Sequence, residues 1–170
     1  YFVMRFDDQI GTSGNTVENV RDALHQGLEL ATQADLTGRF GSFGPFVNLT
    51  LLDATFIEGP QDGKAPQHAP QYTMRFGARY AFKDRAKVQL LTTFVDDHFA
   101  DDANTATRTV PSYKVWDLSG ELTLWKEYLS VFGGINNLFD ERYYARVRSE
   151  GIDPAPERNI YGGVRVGVTF

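Results

Sequence analysis

The sequence predicts an all-β protein, an antiparallel transmembrane β-barrel, and three observations support this prediction. Most of the chain alternates apolar and polar side chains with a period of two, which is typical of strands with one apolar face. The connections between these strands are alternately long and short, as in outer-membrane barrels. Charged residues recur along several strands on one face, where a wet lumen tolerates them and a dry core does not. A soluble sandwich has no reason to sort its loops by length.

Composition agrees with this class. The chain has 170 residues and no cysteine, which excludes a disulfide framework and a thiolate metal site. Its net charge is -5 and it has no basic stripe, so we expect no nucleic-acid partner. No apolar run approaches the roughly 20 residues of a membrane helix. A barrel places its lipid-facing side chains at every second position, so its mean hydropathy, here -0.34, is that of a polar chain.

Eight strands are predicted. In order, they span residues 1–10, 22–36, 43–57, 71–82, 87–99, 112–125, 128–146 and 159–170. In the first, Phe2, Met4 and Phe6 form the expected apolar face. The chain begins in the middle of this pattern, so we expect it to be a piece of a longer protein. A polar loop is predicted at 11–21, and in the second strand Leu28 and Leu30 form the apolar face.

The third and fourth strands follow a short glycine turn at 37–39 and are separated by a long Gly/Pro-containing loop. Val47 and Leu51 lie on the apolar face of the third strand. The alternation is clearest at 71–82, where apolar side chains from Tyr72 to Phe82 oppose Arg75. This strand is therefore predicted to have one lipid face and one polar face.

The fifth to eighth strands repeat the scheme. Leu90 lies on the apolar face of the fifth and Trp116 on that of the sixth, and short turns fall at 83–85 and 126–127. The loops at 100–110 and 147–158 are long and polar. In the eighth strand, Val164, Val166 and Phe170 lie opposite Arg165.

Two larger sets of residues define the predicted faces and rim. The charged face comprises Arg5, Arg75, Arg79, Asp117, Glu121 and Arg165. Aromatic residues lie beside the short turns, at Phe40, Phe82, Trp125, Tyr128 and the terminal Phe170. Such residues form the aromatic girdle at a membrane interface, so this end of the barrel is predicted to meet one membrane surface.

Several short runs carry a resemblance to a known family. They are HQGLEL at 25–30, VPSYKVWDLSGEL at 110–122, NNLFD at 136–140 and RYY at 142–144, followed by a polar loop and a final strand ending in Phe170. In this order they resemble the C-terminal part of TonB-dependent outer-membrane receptors. GIDPAPERN at 151–159 is similar to loops of the ferric-citrate-like and other siderophore branches.

The resemblance implies a fold and an activity. Residues 1–170 would supply the last eight strands of a plugged barrel of about 22 strands, with the plug, its TonB box and the earlier strands outside this sequence. The function implied is TonB-energised uptake of a scarce nutrient, foremost a ferric siderophore or ferric-citrate-type chelate. Neither enzymatic activity nor a cofactor is implied. The implied partners are the TonB complex, the iron chelate, outer-membrane lipid and the barrel assembly machinery, which would recognise the strand ending in Phe170.

Two alternatives remain open on the sequence alone. Eight strands also close into a small barrel, which would be a self-contained protein with a structural or adhesion role. An outer-membrane hydrolase is the third hypothesis, since Asp96, Asp97 and His98 at the end of the fifth strand could polarise a water molecule. The competing interpretation of these three residues is a hydrated strand end.

Candidate ligand-binding residues lie in the long loops. Arginine forks suit anionic chelates. The last long loop is flanked by Arg142, Arg146, Arg148 and Arg158, and Lys114 is expected near them on the neighbouring strand. Lipopolysaccharide phosphates or neighbouring acidic side chains are the competing partners. His25, His68 and His98 lie at the same end, and the predicted ligand set takes His68 and His98 from them. No catalytic or metal-ligating residue is predicted. Tyr143, Tyr144 and Tyr161 are assigned to the outer girdle, and Asn136 and Asn137 to structural roles.

Overall fold

The computed structural model describes residues 1–13, 16–83, 85–126, 128–148 and 150–167, with side chains described outside residues 8–21. The described residues form strands and no helix. The strands are β1 Phe2–Ser13, β2 Thr16–Gln33, β3 Leu36–Gly38, β4 Gly41–Phe56, β5 Tyr72–Phe82, β6 Ala86–Val95, β7 His98–Phe99, β8 Thr109–Val110, β9 Tyr113–Trp125, β10 Leu129–Asn136, β11 Tyr144–Val147, β12 Ile152–Pro154 and β13 Asn159–Val166. No helix suited to crossing a membrane occurs in these parts of the chain.

One antiparallel sheet forms the body of the molecule. Its order is β1-β2-β4-β5-β6-β9-β10-β13, and the short β3 continues β2 along β4. Each strand therefore pairs with its neighbour in sequence, as in an up-and-down barrel wall. Within the described residues β1 and β13 do not pair with each other. The sheet therefore does not close into the small eight-stranded barrel that the sequence allowed as an alternative. The hairpins β7–β8 and β11–β12 are separate two-stranded sheets.

The register confirms the predicted faces for most strands. Leu49 lies between Leu30 and Met74, and Leu90 lies between Ala78 and Leu118. We call the face that these side chains share the apolar face. The opposite, polar face carries Arg75, Arg79, Asp117, Glu121 and Arg165, where Arg165 donates to Glu121 at 2.6 Å. The separation of charges from apolar side chains is what a barrel wall between lipid and a wet lumen requires.

The predicted faces of the first strand are wrong. Phe2 pairs with Gly27 and Phe6 with Ala23, which places both aromatic rings on the polar face. Arg5 pairs with Leu24 on the apolar face, where its guanidinium binds Asp22 at 2.6 Å. Sequence alternation marks two faces but does not say which one meets lipid. In this strand, the ring of Phe2 covers the backbone of Gly27, which has no side chain of its own, and this contact holds Phe2 on the polar face.

Aromatic rings cover glycines at other points of the polar face as well. The pairs are Phe46 over Gly77, Tyr161 over Gly134 and Phe132 over Gly163. A cross-strand ring over a glycine shields backbone that no side chain protects, as in the aromatic rescue used in designed sheets. Tyr161 consequently belongs to the polar face, and its predicted place in the outer girdle is wrong.

The short turns carry the predicted aromatic rim. Phe82 and Trp125 are exposed beside them, and the hydroxyl of Tyr80 donates to the carbonyl oxygen of Phe40 at 2.5 Å. Lys83 and Lys126 adopt positive φ values of 49° and 44° in the two tight turns. Phe170, the last expected member of this rim, lies outside the described residues.

Three predicted boundaries differ from the structure. The polar loop expected at 11–21 is wrong, because the β1–β2 ladder continues to the pair Ser13 and Thr16. Backbone hydrogen bonds hold a ladder beyond the lipid-facing part regardless of side-chain polarity. The fifth and seventh strands end earlier than predicted, at Val95 and Asn136, since the next residues leave the sheet. Asn137, with a φ of 53°, starts the turn after β10.

Candidate functional site

Three long connections lie at the end of the sheet opposite the short turns. Loop A spans residues 57–71, loop B spans 96–112 and loop C spans 137–158. Loop B contains the β7–β8 hairpin and loop C contains the β11–β12 hairpin. Because antiparallel neighbours return every second connection to the same end, the topology alone brings these distant segments together.

Loops A and B are joined by side-chain to backbone hydrogen bonds. Asn104 accepts from the backbone N–H of Ala65 at 2.9 Å and donates to its carbonyl oxygen at 2.7 Å. The carboxylate of Asp102, only 3% exposed, accepts from the backbone N–H of Gln67 at 2.8 Å. Buried polar groups with satisfied partners fix one loop arrangement, so loops A and B form one unit.

Loop C lies against loop B, and each loop has a buried valine near this contact. Val110 at the end of β8 is 1% exposed and Val147 at the end of β11 is 8% exposed, and these two strands are in contact. Burial of two valines contributes on the order of a few kcal/mol. Loop C is therefore in contact with the unit that loops A and B form.

A hydrogen-bonded turn at the base of loop C holds it to the sheet. The backbone N–H of Asn137 donates to Asp117 at 2.9 Å, and its side-chain amide exchanges hydrogen bonds of 2.8 Å with the backbone of Glu141. Asp140 accepts from the backbone N–H of Arg158 at 2.9 Å. The predicted structural role of Asn137 is confirmed, and two residues of the NNLFD run, Asn137 and Asp140, make these bonds to residues outside it.

A cleft of about 860 Å³ opens between the three loops. Its lining is mostly polar. The lining residues are Gln61, Gln67, His68, Ala100, Asp101, Ala103, Thr105, Thr107, Arg108, Arg146, Val147, Arg148 and Glu150. A concave site with several convergent polar groups is the form expected of a small-molecule site.

The structure brings most of the predicted ligand residues to this cleft. His68, Arg146 and Arg148 line it, and His98 lies against His68 with 5.8 Å between ring centroids. Arg158 does not line it, since the backbone of Arg158 is tied to the base of loop C. Of the predicted ligand residues, His68, Arg146 and Arg148 therefore line the cleft and His98 lies beside it. Arg158 lies in the turn below the cleft.

Charges in the cleft are unequally compensated. Arg148 binds Asp153 at 2.8 Å, and Arg108 lies 3.7 Å from Asp101. Arg146 is exposed and has no hydrogen bond or ion pair with any residue that the structure describes. A guanidinium that no carboxylate neutralises leaves the cleft attractive to anions.

Sequence reasoning missed Asp101, Arg108 and the threonines of loop B. These residues form an ordinary polar loop in the sequence, and no spacing distinguishes them from solvated residues. Their place in the cleft depends on the hydrogen bonds of Asn104 and Asp102 to loop A. In the sequence, only an excess of one sign of charge, counted over several loops together, could have indicated these loop B residues.

The histidines occupy different environments. The backbone N–H of His68 donates to the carbonyl oxygen of Phe99 at 2.8 Å. Partial burial, with smaller effects from His98 and Arg146, lowers the pKa of His68 below its ordinary value, although Asp102 opposes this shift. His68 is therefore mainly neutral at neutral pH. His25 lies apart from this pair and packs edge-on against Phe6, with 4.8 Å between centroids.

The hydrolase hypothesis has no support in this geometry. With Nδ1 protonated, His98 donates to the backbone carbonyl oxygen of Asp96 at 3.1 Å rather than to a carboxylate. In the described parts of the chain, no group of three or more His, Asp or Glu side chains is arranged to hold a metal ion.

Two further predictions about this end of the barrel are wrong. Tyr143 stacks on Tyr113 with 4.4 Å between centroids, beside polar-face residues such as Asp117, so it does not belong to a lipid-facing girdle. Lys114 pairs with Phe94 on the apolar face, away from the arginines of loop C. A shift of one residue in the register of a strand exchanges its two faces, and the sequence alone did not determine the face on which Lys114 lies.

The family model described as "TonB dependent receptor-like, beta-barrel" matches residues 1–138. The ferrioxamine receptor of Yersinia enterocolitica is 30% identical over 125 residues, which is 71% of this chain and 17% of that protein. The ferric enterobactin receptor PirA of Pseudomonas aeruginosa is 27% identical over 154 residues, covering 83% of this chain and 19% of that protein.

A solved structure is similar in fold. The ferric citrate transporter FecA in its unliganded form superposes with a TM-score of 0.79 at 21% identity, covering 95% of this chain and 27% of that chain. The present chain thus spans 17% and 19% of the lengths of the two curated relatives.

Proposed function

The chain belongs to the TonB-dependent receptor β-barrel family, and from this premise we propose that it forms part of the wall and outer loops of a receptor that takes up an iron chelate across the bacterial outer membrane. The family is one of receptors and transporters rather than enzymes. In this proposal, residues 1–170 are the C-terminal part of the barrel, and a plug and earlier strands complete the protein.

The observation that carries the proposal is the cleft between loops A, B and C. It lies at the end of the sheet that holds the long loops, which in outer-membrane barrels is the extracellular end. Arg146 contributes a guanidinium without an ion-pair partner in the described part of the chain, and the ferric complexes of carboxylates and catecholates are anions. The names of the two curated relatives, which are receptors for ferrioxamine and ferric enterobactin, support an iron-chelate ligand.

The partners follow from the same premise. Energy would come from the TonB complex through the plug, and the strand ending in Phe170 would be recognised by the barrel assembly machinery. Arg146 and Arg148 bind the chelate in this proposal, with His68 and His98 beside them. Arg158 contributes to the turn below the cleft instead of the ligand contact.

The test is iron uptake by cells. A strain lacking the full-length receptor, grown without other iron sources, should fail to accumulate radioactive iron from at least one ferric chelate, and the restored gene should rescue uptake. Deleting the energy-coupling protein TonB should abolish the same uptake. Equal uptake with and without the receptor, across carboxylate, hydroxamate and catecholate chelates, would exclude the proposal.

A further inference from the structure

The described lining of the cleft between loops A, B and C is mostly polar, which bears on the class of iron chelate that it can hold. None of its described lining residues is Phe, Tyr or Trp. Its apolar contribution is limited to Ala100, Ala103 and Val147. Tyr143 of loop C, for example, does not line the cleft and stacks on Tyr113 over the polar face. A ligand with aromatic rings would find no ring to stack on and little apolar surface to bury against.

The polar groups of the cleft favour carboxylate oxygens. Arg146 offers a planar fork of N–H donors, which matches a carboxylate in a bidentate way. The hydroxyl groups of Thr105 and Thr107 add donors of ordinary strength. An incoming carboxylate can bind Arg146 without displacing a protein partner, because no described residue holds that guanidinium.

Two acidic residues belong to the described lining of the cleft, Asp101 and Glu150, and both have partners within the protein. Asp101 accepts from the backbone N–H of Thr105 at 2.9 Å and faces Arg108 at 3.7 Å. Its charge is therefore partly compensated within loop B and repels an anion less than an unpaired carboxylate would. His68 is mainly neutral at neutral pH because its pKa is lowered, so its imidazole can donate or accept a hydrogen bond without adding charge to the cleft.

We propose that this cleft selects compact, hydrophilic ferric complexes of α-hydroxycarboxylates, which present carboxylate oxygens on their surface, over ferric complexes of catecholates. This inference rests on the proposed function and adds the chemical class of the chelate. It also differs from the class named for one curated relative, which is a receptor for ferric enterobactin. Selection arises because guanidinium and hydroxyl groups satisfy carboxylates, while the described lining residues offer aromatic ligands no Phe, Tyr or Trp ring and only three apolar side chains.

The experiment uses the full-length receptor purified in detergent and titrated with three probes. They are ferric citrate, the ferric complex of 2,3-dihydroxybenzamide, a catecholate without a carboxylate, and a ferric trihydroxamate. Ferric citrate is expected to bind at least about tenfold more tightly than the catecholate complex. Arg146→Gln is expected to weaken ferric citrate binding about tenfold, and Arg146→Lys less, since it keeps the charge and loses the fork.

Arg142→Gln is the matched control. Arg142 is an exposed arginine of the same loop that does not line the cleft, so its loss should change ferric citrate binding less than twofold. Correct folding of each variant is checked by the shift in gel mobility between unheated and heated samples.

The outcomes separate this inference from the proposed function. Tighter binding of the catecholate or hydroxamate complex, or an unchanged affinity for ferric citrate in Arg146→Gln, overturns the chelate class while the receptor function stands. Failure of all three chelates to bind, together with unchanged iron uptake in cells lacking the receptor, overturns the proposed function itself.

Discussion

His68 is the titratable side chain most directly linked to the arrangement of the outer loops. Its backbone joins loop A to loop B at Phe99, and its ring lies against His98. Docking partly buries the imidazole and lowers its pKa, with His98 and Arg146 adding to the shift. Protonation is therefore disfavoured while the loops are docked, and the docked state is sensitive to acid.

The sign of the pH dependence follows from this shift. Above the ordinary pKa of 6.5, His68 is neutral in docked and undocked loops alike, and pH has no effect through it. As pH falls through 6.5, the undocked form gains a proton that the docked form resists, so docking weakens until the pH passes below the docked pKa. Hydrogen exchange at the backbone amides of Gln67 and His68, corrected for intrinsic rates, should be faster at pH 5.5 than at pH 7.5.

His68→Asn is the control for this prediction. His68 has a φ of 57°, and asparagine tolerates this left-handed conformation better than most residues, so the backbone is preserved. The variant should lose the extra acid sensitivity at Gln67. Slower corrected exchange in acid than at neutral pH would contradict the assignment.

Asn137 is a second residue with a role that is testable on its own. It is 3% exposed and bonds both Asp117 and Glu141. Asn137→Ala removes the amide that spans the turn and leaves the backbone of Glu141 without this partner. It also places alanine at a φ of 53°, a conformation that asparagine tolerates better, and this adds to the cost. The expected cost is about 2–3 kcal/mol, measured by urea titration of the full-length receptor in lipid vesicles.

Asn136→Ala is the matched comparison. Asn136 pairs with Asn159 through side chains that are exposed, so its loss should cost less than about 1 kcal/mol. Equal effects of the two alanine variants would show that the turn does not depend on the amide of Asn137.

Strands β5, β6 and β9 are the elements in which the two faces are most regular. Leu90 on the apolar face lies between Ala78 and Leu118, while Leu91 on the polar face lies between Gly77 and Asp117. Consecutive leucines in β6 therefore meet different surroundings, lipid on one side and the lumen on the other. The sequence shows only two adjacent leucines, and the register assigns each to its face.

Arginine substitutions at this pair should separate the two faces. Leu90→Arg places a charge against lipid midway along β6 and is expected to cost about 2–4 kcal/mol of folding free energy. Leu91→Arg places the same charge in the wet lumen beside Asp117 and should cost less than about 1 kcal/mol. Urea titration of the full-length receptor in vesicles measures both. A larger loss for Leu91→Arg than for Leu90→Arg would mean that the faces are exchanged.

The sheet as a whole has two edges in the described structure. β1 pairs only with β2, and β13 pairs only with β10. Backbone groups on an unpaired edge have no partner in lipid, and each one left unsatisfied there costs several kcal/mol. In the proposed receptor, further strands would cover both edges, and the chain spans 17% and 19% of the lengths of its two curated relatives.

The 170-residue chain expressed alone is therefore expected to aggregate instead of folding in detergent. Co-refolding with the remaining strands of the receptor should recover a barrel whose gel mobility changes on heating. Mobility of unheated and heated samples checks both. A stable, heat-resistant monomer formed by this chain alone would support the self-contained barrel and exclude the proposed transport role, since eight strands leave a lumen filled by side chains.

The sequence by itself determined the class of fold, most of the strands and their two faces. The strand from Tyr72 to Phe82 was predicted within one residue, because alternation with a period of two is a local property that no distant contact alters. The same holds for the aromatic rim beside the short turns. His68, Arg146 and Arg148 were also correctly placed at the end with the long loops, since loop length is visible along the chain.

Only the tertiary structure decided which loop residues meet and which face of an irregular strand meets lipid. Arg158 is separated from Arg146 because the turn at Asn137 and Asp140 ties its backbone to the sheet, and Asp101 and Arg108 join the cleft because Asn104 and Asp102 bind loop A. The reversed faces of β1 follow from the ring of Phe2 covering Gly27 on the neighbouring strand. Each of these is a contact between residues far apart in the chain, and a periodic pattern carries no information about such contacts.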